Sequence, residues 1–466
     1  MSLAVTGRRR ADGGSPAVAR PPFALKLLVV GVVLYLAFGK GFAYAGWPPV
    51  FVGEVLLVVV LMAAVRSGGA LPGNGAALLT VGLMALASVQ FADDRLAGAV
   101  PLVETIRGLA PIYYAGYAFA AYALLRAYEQ REGRAEVVAA AERALGRAAA
   151  PVLGVVLVLA VLLLVAPTSL PSWPGSGVPV LLTKSGDIAV TLTLLAPVLL
   201  GRLRDVGLGL ASRRVLLVMW LVTAVLVSFR SRGALLALAV GLLVARPDPV
   251  RLAKGVFAVA AVVLLLYVSG LRMEVGGREV SYDALGDAVA SVTGGAPEDQ
   301  VGSNYLDTTS WRADWWGSIW DDVRDEEMVL HGRGWGDNLA VRHGVIEGMA
   351  ADDPRALRLP HDIFFSLAGR AGLLMAAAFL LVPVLTIART FRSGRQPVAV
   401  EAARGALAAA VTTGMTDVYI EAPQGGIVFW CLTGFLWWAT ARPLSATQAT
   451  ERVISGTRRG GRNVVT

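Results

Sequence analysis

The chain is poor in the residues that most often carry chemistry outside a membrane: one cysteine, three histidines and four lysines in 466 residues. The lone Cys431 excludes an intramolecular disulfide, and its place inside an apolar run suits a small packed hydrophobe. His331, His343 and His361 show no H-x-x-x-H or related spacing, which argues against a zinc site or metalloprotease. No internal repeat is visible, so the matched, broken halves common in transporters are missing too. The 42 basic residues are nearly all arginine. With Ala, Gly, Val and Leu so abundant, that bias suggests a high-GC bacterial genome.

What the chain has in excess is apolar sequence. It is 56% hydrophobic with a mean hydropathy of +0.62, more than a domain with a water-facing surface can carry. A helix needs about 20 apolar residues to cross a bilayer. Twelve runs qualify as candidates, beginning near Phe23, Pro48, Ala76, Gly108, Ala150, Asp187, Val215, Gly233, Gly255, His361, Val398 and Gly425. The expected fold is therefore all-α, a polytopic membrane protein of about 12 transmembrane helices. Helices 1–9 fall in 23–270 and helices 10–12 in 361–443, with a long, partly helical loop at 271–360. The polar stretches 1–22 and 444–466 read as disordered tails. Residues 126–147 mix Glu and Arg with Ala and read as a cytoplasmic extension, an interfacial helix or a solvated connector.

Charge sets the expected orientation. Arginine clusters such as Arg8-Arg9-Arg10, Arg202 with Arg204, Arg213-Arg214 and Arg458-Arg459 fall on one side of the twelve-run count. The short loops of the other side hold only Lys40, Arg95, Arg107, Lys184, Arg230 and Arg232. The positive-inside rule then puts both termini in the cytoplasm and 271–360 outside. That loop carries 17 acidic and eight basic residues, net −9, against +8 for the whole chain. Cationic inner loops facing anionic lipid account for the overall charge, and nucleic-acid binding is not implied. The start, with a basic stretch, an apolar stretch and Ala43-Tyr44-Ala45, also has the layout of a cleavable signal peptide, one shared by first helices of polytopic proteins.

Four places draw attention. Runs 215–229 and 233–245 are each short, with Arg230-Ser231-Arg232 between them. Two passes rather than one keep Arg213-Arg214 and Arg246 on the same side, and the hairpin tip then holds two guanidiniums at headgroup depth. Such charge costs about 2.5–3.5 kcal/mol at mid-bilayer on insertion scales, so either lipid phosphates or a bound anion should compensate it. In the outer loop, Thr308-Thr309-Ser310 can cap a helix whose Trp311, Trp315, Ile319 and Val323 recur every four residues, with Trp316 and Trp320 alongside. This suits an amphipathic helix lying on the membrane, with the tryptophans anchoring at the interface or stacking on sugars. Arg312 beside that face either stacks on Trp316, reaches a phosphate or pairs with Asp314. His331-Gly332-Arg333-Gly334-Trp335-Gly336 is either an anion-binding nest or a turn. Finally, Pro360-His361-Asp362 opens the tenth run, with Pro in a helix first turn and His361 at the helix's positive end.

Taken in order, these residues resemble the O-antigen ligase and polymerase superfamily over roughly 215–381. Phe229-Arg230-Ser231-Arg232-Gly233-Ala234-Leu235-Leu236 is similar to its Ser-Arg-Gly helix. Arg312 with Trp315-Trp316 and the later Gly332-x-Gly334-x-Gly336 are similar to its Arg-x-x-x-Trp and Gly-x-Gly loop. His361 through Gly372 is similar to its His-Asn-x9-Gly-x-x-Gly, with Asp362 in the Asn position and Met375 in that of the second glycine. The resemblance implies a GT-C-like membrane glycosyltransferase of cell-envelope polysaccharide biosynthesis in the bacterial cytoplasmic membrane. It would move a glycan from a polyprenyl-diphosphate carrier to a hydroxyl of a lipid or glycan acceptor at the outer leaflet, with no cofactor or obligatory metal. By that analogy Arg232, Arg230, Arg312 and Arg333 would hold the diphosphate, and His361 would act as base, with Asp362 and Asp337 as reserve candidates.

Three alternatives stay open. A polymerase of the same superfamily would differ in acceptor only, and a flippase for a lipid-linked glycan would line its path with arginines too. A metal-dependent transferase would need the acids Asp93-Asp94, a pair that otherwise reads as a solvated turn.

Overall fold

The computed structural model describes residues 21–442 apart from 49, 69–70, 99, 166–170, 201–209, 247–249, 251–252, 254–272, 276–277, 281–299, 325, 346–358 and 393–395. The ninth apolar run, most of residues 271–299 and the tails 1–20 and 443–466 therefore lie outside the described residues.

The chain is helical almost throughout. In order, the helices are α1 (Phe23–Ala43), α2 (Val52–Arg66), α3 (Gly75–Ala97), α4 (Leu102–Gly108), α5 (Ala110–Tyr113), α6 (Gly116–Glu132), α7 (Arg134–Val165), α8 (Ser185–Leu200), α9 (Leu210–Arg230) and α10 (Arg232–Ala245). There follow α11 (Gln300–Val323), α12 (Glu326–His331), α13 (Leu339–Arg342), α14 (Ile363–Ala371), α15 (Leu373–Thr390), α16 (Val398–Gly414) and α17 (Pro423–Thr440). Among the described residues, strands form two short antiparallel hairpins, one pairing Gly46–Trp47 with Val50–Phe51 and one pairing Met273–Val275 with Arg278–Val280.

Where the apolar residues go decides the architecture. Every side chain of α8 after Ser185 is buried, and α17 is buried nearly throughout, so these two are the centre of the bundle. A helix that is apolar all round is stable only in such a place. The outer helices do the reverse and turn Val29, Val55, Val81, Val158, Val218 and Val384 outward. A bundle with an apolar outer wall needs lipid as its solvent. Among the described residues, α1, α3, α7 and α15 are long and apolar enough to cross a membrane, and the pair Leu102–Gly108 and Ala110–Glu132, bent by 55°, makes a fifth if it is one span. α8 and α10 are shorter apolar helices. Central helices meet through small residues: Gly434 of α17 rests directly on the Ala118 carbonyl of α6, leaving no room for a Cβ. Close backbone approach of this kind is how helices associate where lipid removes the hydrophobic drive.

Contacts between helix termini define two ends of the bundle. Lys184, just before α8, meets Asp417, just past α16, while Arg213 near the start of α9 donates to Leu199 O near the end of α8. Arg404 near the start of α16 donates to Val244 O and Ala245 O at the end of α10. α9 and α10 therefore form a hairpin with its tip at residues 230–232, and Arg213 and Arg246 share the far end.

Local expectations fare less evenly. Thr308-Thr309-Ser310 does not cap a helix, because α11 already begins at Gln300 and runs through it. Nor does that helix offer its apolar face to a membrane. Trp315, Ile319 and Val323 are at most 2% exposed, and Ile319 packs with Leu339 against Gly369 of α14. The hydrophobic stripe is satisfied by protein, which also removes Trp315 and Trp335 as interfacial anchors. Residues 126–147 are not a connector: α6 ends at Glu132 and α7 begins at Arg134, with Gly133 between them at φ 83°. Pro360 is not in a first turn either, since α14 starts at Ile363 with Asp362 as its N-cap.

Candidate active site at the hairpin tip

Five separate stretches of chain meet at the tip of the α9–α10 hairpin. Ser231 breaks the helix in an extended conformation, and its hydroxyl accepts the Ala234 N–H at 3.3 Å, capping α10 so that Arg232 is its first residue. Gly233 then packs on Thr416, where an added Cβ would lie 2.5 Å from the hydroxyl oxygen. Only glycine permits that approach, and it seats Arg232 against the turn 415–422 between α16 and α17.

Arg312 comes to the same turn from α11. One of its terminal nitrogens donates to Thr416 O at 3.3 Å, its guanidinium lies 5.5 Å from the centre of the Trp311 ring, and its buried Nε has no hydrogen-bond partner. Burial, reinforced by the nearby Arg232 charge and opposed by Asp417, lowers its pKa from the ordinary arginine value. Two guanidiniums close enough to repel are a place where an anion is welcome.

His361 supplies the imidazole. Its backbone is left-handed, φ 58°, a conformation costing a non-glycine residue on the order of 1 kcal/mol. Its neighbours hold it: Trp316 donates to Pro360 O at 2.8 Å, and the Asp362 carboxylate accepts the N–H groups of Phe364 at 2.7 Å and Phe365 at 3.2 Å. The ring Nδ1 lies 3.0 Å from Asp417 Oδ1. If that nitrogen carries the proton, Nε2 keeps its lone pair, the arrangement in which a carboxylate orients a histidine base.

Asp417 is the hub. The same oxygen accepts from Lys184 Nζ at 2.8 Å and from the Val418 N–H at 2.7 Å. Burial would push the Asp417 carboxyl up, but the His361 hydrogen bond and the Lys184 ammonium hold it well below the usual carboxylate range. Beneath it, Asp187 takes the Lys184 N–H at 3.0 Å and lies against Gly39, where α1 is broken at φ 52° beside Lys40. Asp187 Oδ1 and Thr183 Oγ1 are buried there without partners.

Of the residues singled out in the sequence, Arg232, Arg312 and His361 are brought together, and the Arg230 side chain lies outside the described residues. The rest are elsewhere or otherwise occupied. Asp362 spends its carboxylate on the α14 cap. Asp337 holds Arg342 at 2.6 and 3.1 Å, and Arg333 reaches Asp322 at 3.5 Å, in a separate charged group with His343. The glycine-rich turn is not an open nest: the Arg333 and Gly334 N–H groups donate to Gly369 O and Arg370 O, and the Trp335 N–H donates to Asp94 at 2.6 Å. A carboxylate of the protein itself fills the place an external anion would take. That contact gives Asp94 a structural task, and among the described residues no group of three acids, histidines or cysteines is placed to hold a metal.

Sequence reading missed Asp417, Lys184, Lys40 and Asp187. The signal was present, since ionisable residues at the edges of apolar runs are functional candidates by default. No family model matches the chain, and no curated protein matches it.

Proposed function

We propose that this protein is a metal-independent membrane glycosyltransferase that moves a glycan from a polyprenyl-diphosphate carrier to a hydroxyl on a lipid or glycan acceptor. The observation that carries the reading is the convergence of Arg312 and Lys184 on one His361–Asp417 pair, with the Arg232 charge beside Arg312, at a single end of an apolar bundle. Each part has a task in that chemistry. Guanidiniums stay protonated and grip phosphate oxygens, so Arg232 and Arg312 stabilise the diphosphate as it leaves. Asp417 holds the imidazole while His361 takes the proton of the attacking hydroxyl, a contribution typically worth about 10²–10⁴-fold. The acceptor oxygen forms its bond to the anomeric carbon as the bond to the diphosphate breaks, and the carrier departs as free polyprenyl diphosphate.

The same reading takes the bundle as a twelve-span, GT-C-like fold, of which eight runs before 361 and three after it are described and the ninth lies outside the described residues. It puts both termini in the cytoplasm and this cluster at the outer leaflet of a bacterial cytoplasmic membrane. Ligation of a finished glycan and extension of a growing one share this machinery and differ in acceptor. Reconstitution in lipid with a synthetic polyprenyl-diphosphate glycan and a hydroxyl acceptor tests the proposal. Free polyprenyl diphosphate and a glycosylated acceptor are expected from the wild type and not from Arg232→Lys, Arg312→Ala or His361→Ala. Movement of intact donor between leaflets without release of the carrier would replace the transferase with a flippase.

A further inference from the structure

A hollow of about 480 Å³ opens through the apolar outer wall of the bundle and reaches in to its centre. Leu28 and Val32 of α1 and Ala144 and Ala148 of α7 form its sides, and Leu195 of α8 and Leu432 of α17 form its floor. Elsewhere α8 and α17 are covered by protein. Here α1 and α7 leave a gap over them, since Ala140, Ala144 and Ala148 stand one turn apart on one face of α7 and are too short to close it.

The helix α1 gives the depth of the hollow. Lys26 stands at its mouth, at the far end of the bundle, and Leu36 at its deep end. At 1.5 Å per residue these two are about 15 Å apart, half of a hydrocarbon core about 30 Å thick. At the deep end Thr191 Oγ1 donates to Leu36 O at 2.9 Å and ties α1 to α8, and one turn further on Gly39 lies against Asp187. The hollow therefore stops short of the cationic cluster and is one leaflet deep. Lys26 is the only charged residue among those lining it, is exposed, and pairs with no acid among the described residues. A lysine so placed lays its stem on apolar surface and keeps its ammonium at headgroup level. An apolar slot the length of one leaflet, with a cation at its surface end, matches a single acyl chain below a phosphate. The sequence before Pro21, with Arg8-Arg9-Arg10, is too polar to fill it.

We infer that this hollow is a binding site for one phospholipid of the leaflet at the far end, with an acyl chain lying in the slot against α8 and α17 and the phosphate on Lys26. The site is separate from the cationic cluster and does not rest on the transferase reading. Lipid of the surrounding shell meets outward side chains such as Val158, Val218 and Val384, whereas a chain in the slot meets helices that are otherwise inside the protein. A polyprenyl chain held at the cluster would have to pass Gly39 and Asp187 to enter, and an apolar helix of a second copy would leave Lys26 without a counter-charge.

The test uses the full chain in nanodiscs containing phosphatidylglycerol with a diazirine at the end of one acyl chain, and labelled peptides are identified by mass spectrometry after illumination. Label is expected on α17, at Leu432 or Phe435, as well as on the outer helices. Ala148→Phe, which fills the slot, should remove the central label and keep the outer one. Val158→Phe, an outward substitution on the same helix, should change neither. Lys26→Ala should lower the central label by about fivefold, the weight of one lysine at a charged lipid surface, and Lys26→Arg should restore it. A diacylglycerol with the same chain and no phosphate should label the centre of the wild type about fivefold less than the phospholipid does. If Ala148→Phe lowers the melting temperature, the Lys26 and diacylglycerol comparisons decide, because they leave the packing alone. Central label that is absent from the wild type, that survives Ala148→Phe in a folded protein, or that is equal for the two lipids would overturn the site. So would central label by a polyprenyl diphosphate probe in preference to phospholipid, which gives the slot to the carrier, or disulfide-linked dimers of Val29→Cys that exclude the label, which give it to a second copy.

Discussion

Arginine is used in opposite ways at the two ends of the bundle. At the far end its hydrogen bonds are consumed by the protein: Arg134 donates to the carbonyls of Trp438 and Ala441 at 3.0 and 2.9 Å, lies over the Trp438 ring and faces Glu129. Arg213 closes on Leu199 O with two nitrogens, at 2.9 and 2.7 Å. Arg404 ties α16 to the end of α10, and it and Arg246 stack on Phe391. These are cations at helix C-termini, where the dipole and the orphan carbonyls both favour them. At the other end Arg312 is more than half withdrawn from water yet keeps an unpaired Nε, and Asp417 is shared by an imidazole and an ammonium. The far end is the more fully paired of the two. The near end leaves charge less completely matched.

If that contrast is right, mutations at the two ends should fail differently, and the largest effect belongs to the near end. His361→Ala is expected to lower the rate of carrier release by about 10²–10⁴-fold, the usual weight of a general base, with a melting temperature close to that of the wild type. Asp417→Asn should follow it in activity, because the amide no longer orients the ring as an anion does. Initial rates and thermal unfolding on the same preparations check both. A His361→Ala protein that melts early and turns over normally would reverse the roles of the two ends.

The second effect belongs to the far end and runs the other way. Glu129 is 5% exposed and is held by Arg126 at 2.7 Å and by the Trp438 indole at 2.9 Å besides Arg134. Arg134→Ala leaves that buried carboxylate short of a partner and the end of α17 uncapped. A loss of about 3–5 kcal/mol is typical when one member of a buried pair is removed. Turnover per folded molecule should be unchanged.

How much of this was legible beforehand follows the physics of each element. Apolar runs announce helices because lipid and core demand the same composition, and each run but the ninth, which lies outside the described residues, falls in helix, although the fourth is divided between α5 and α6 and the tenth between α14 and α15. The hairpin at Arg230-Ser231-Arg232 was legible because two short runs flanked by Arg213-Arg214 and Arg246 keep those clusters on one side only as two passes; the Ser231 cap that makes its tip was not read. Arg312 and His361 could be named as candidates, but their common neighbour could not: Asp417 sits 56 positions beyond His361, and only folding brings the two together. The glycine-rich turn misled for a related reason. Its pattern fits a nest, and nothing local says that Asp94, some 240 positions away, occupies the space. Likewise the α11 stripe predicts burial without saying whether lipid or protein performs it.

A third, smaller effect sharpens the near end through pH. The Asp417 carboxyl is held below its ordinary range in the folded protein, so the stabilisation it confers is complete above the unfolded value of about 3.9 and is lost as pH falls through the lower folded value. The wild type should therefore exceed Asp417→Asn in stability by about 1–3 kcal/mol, the weight of a charged hydrogen bond, from neutral pH down to about 5. That gap should close towards pH 2. A gap that widens on acidification would mean that the carboxyl is protonated in the folded state and that His361 lacks its counter-charge.

The smallest effect separates a structural carboxylate from a ligand site. Asp94 joins α3 to the glycine-rich turn through the Trp335 N–H, and Gln90 of the same helix donates to Ala371 O at 3.0 Å. Asp94→Ala removes one hydrogen bond and leaves Gln90 in place, so a loss of about 1 kcal/mol is expected, with donor KM unchanged. If the turn were instead a phosphate nest screened by Asp94, clearing that carboxylate would tighten donor binding, since the vacated N–H would face the anion. A lowered donor KM in Asp94→Ala would move the diphosphate away from Arg232 and Arg312 and towards Arg333. An unaltered KM keeps the charge chemistry at the hairpin tip, where the unpaired guanidinium nitrogen already is.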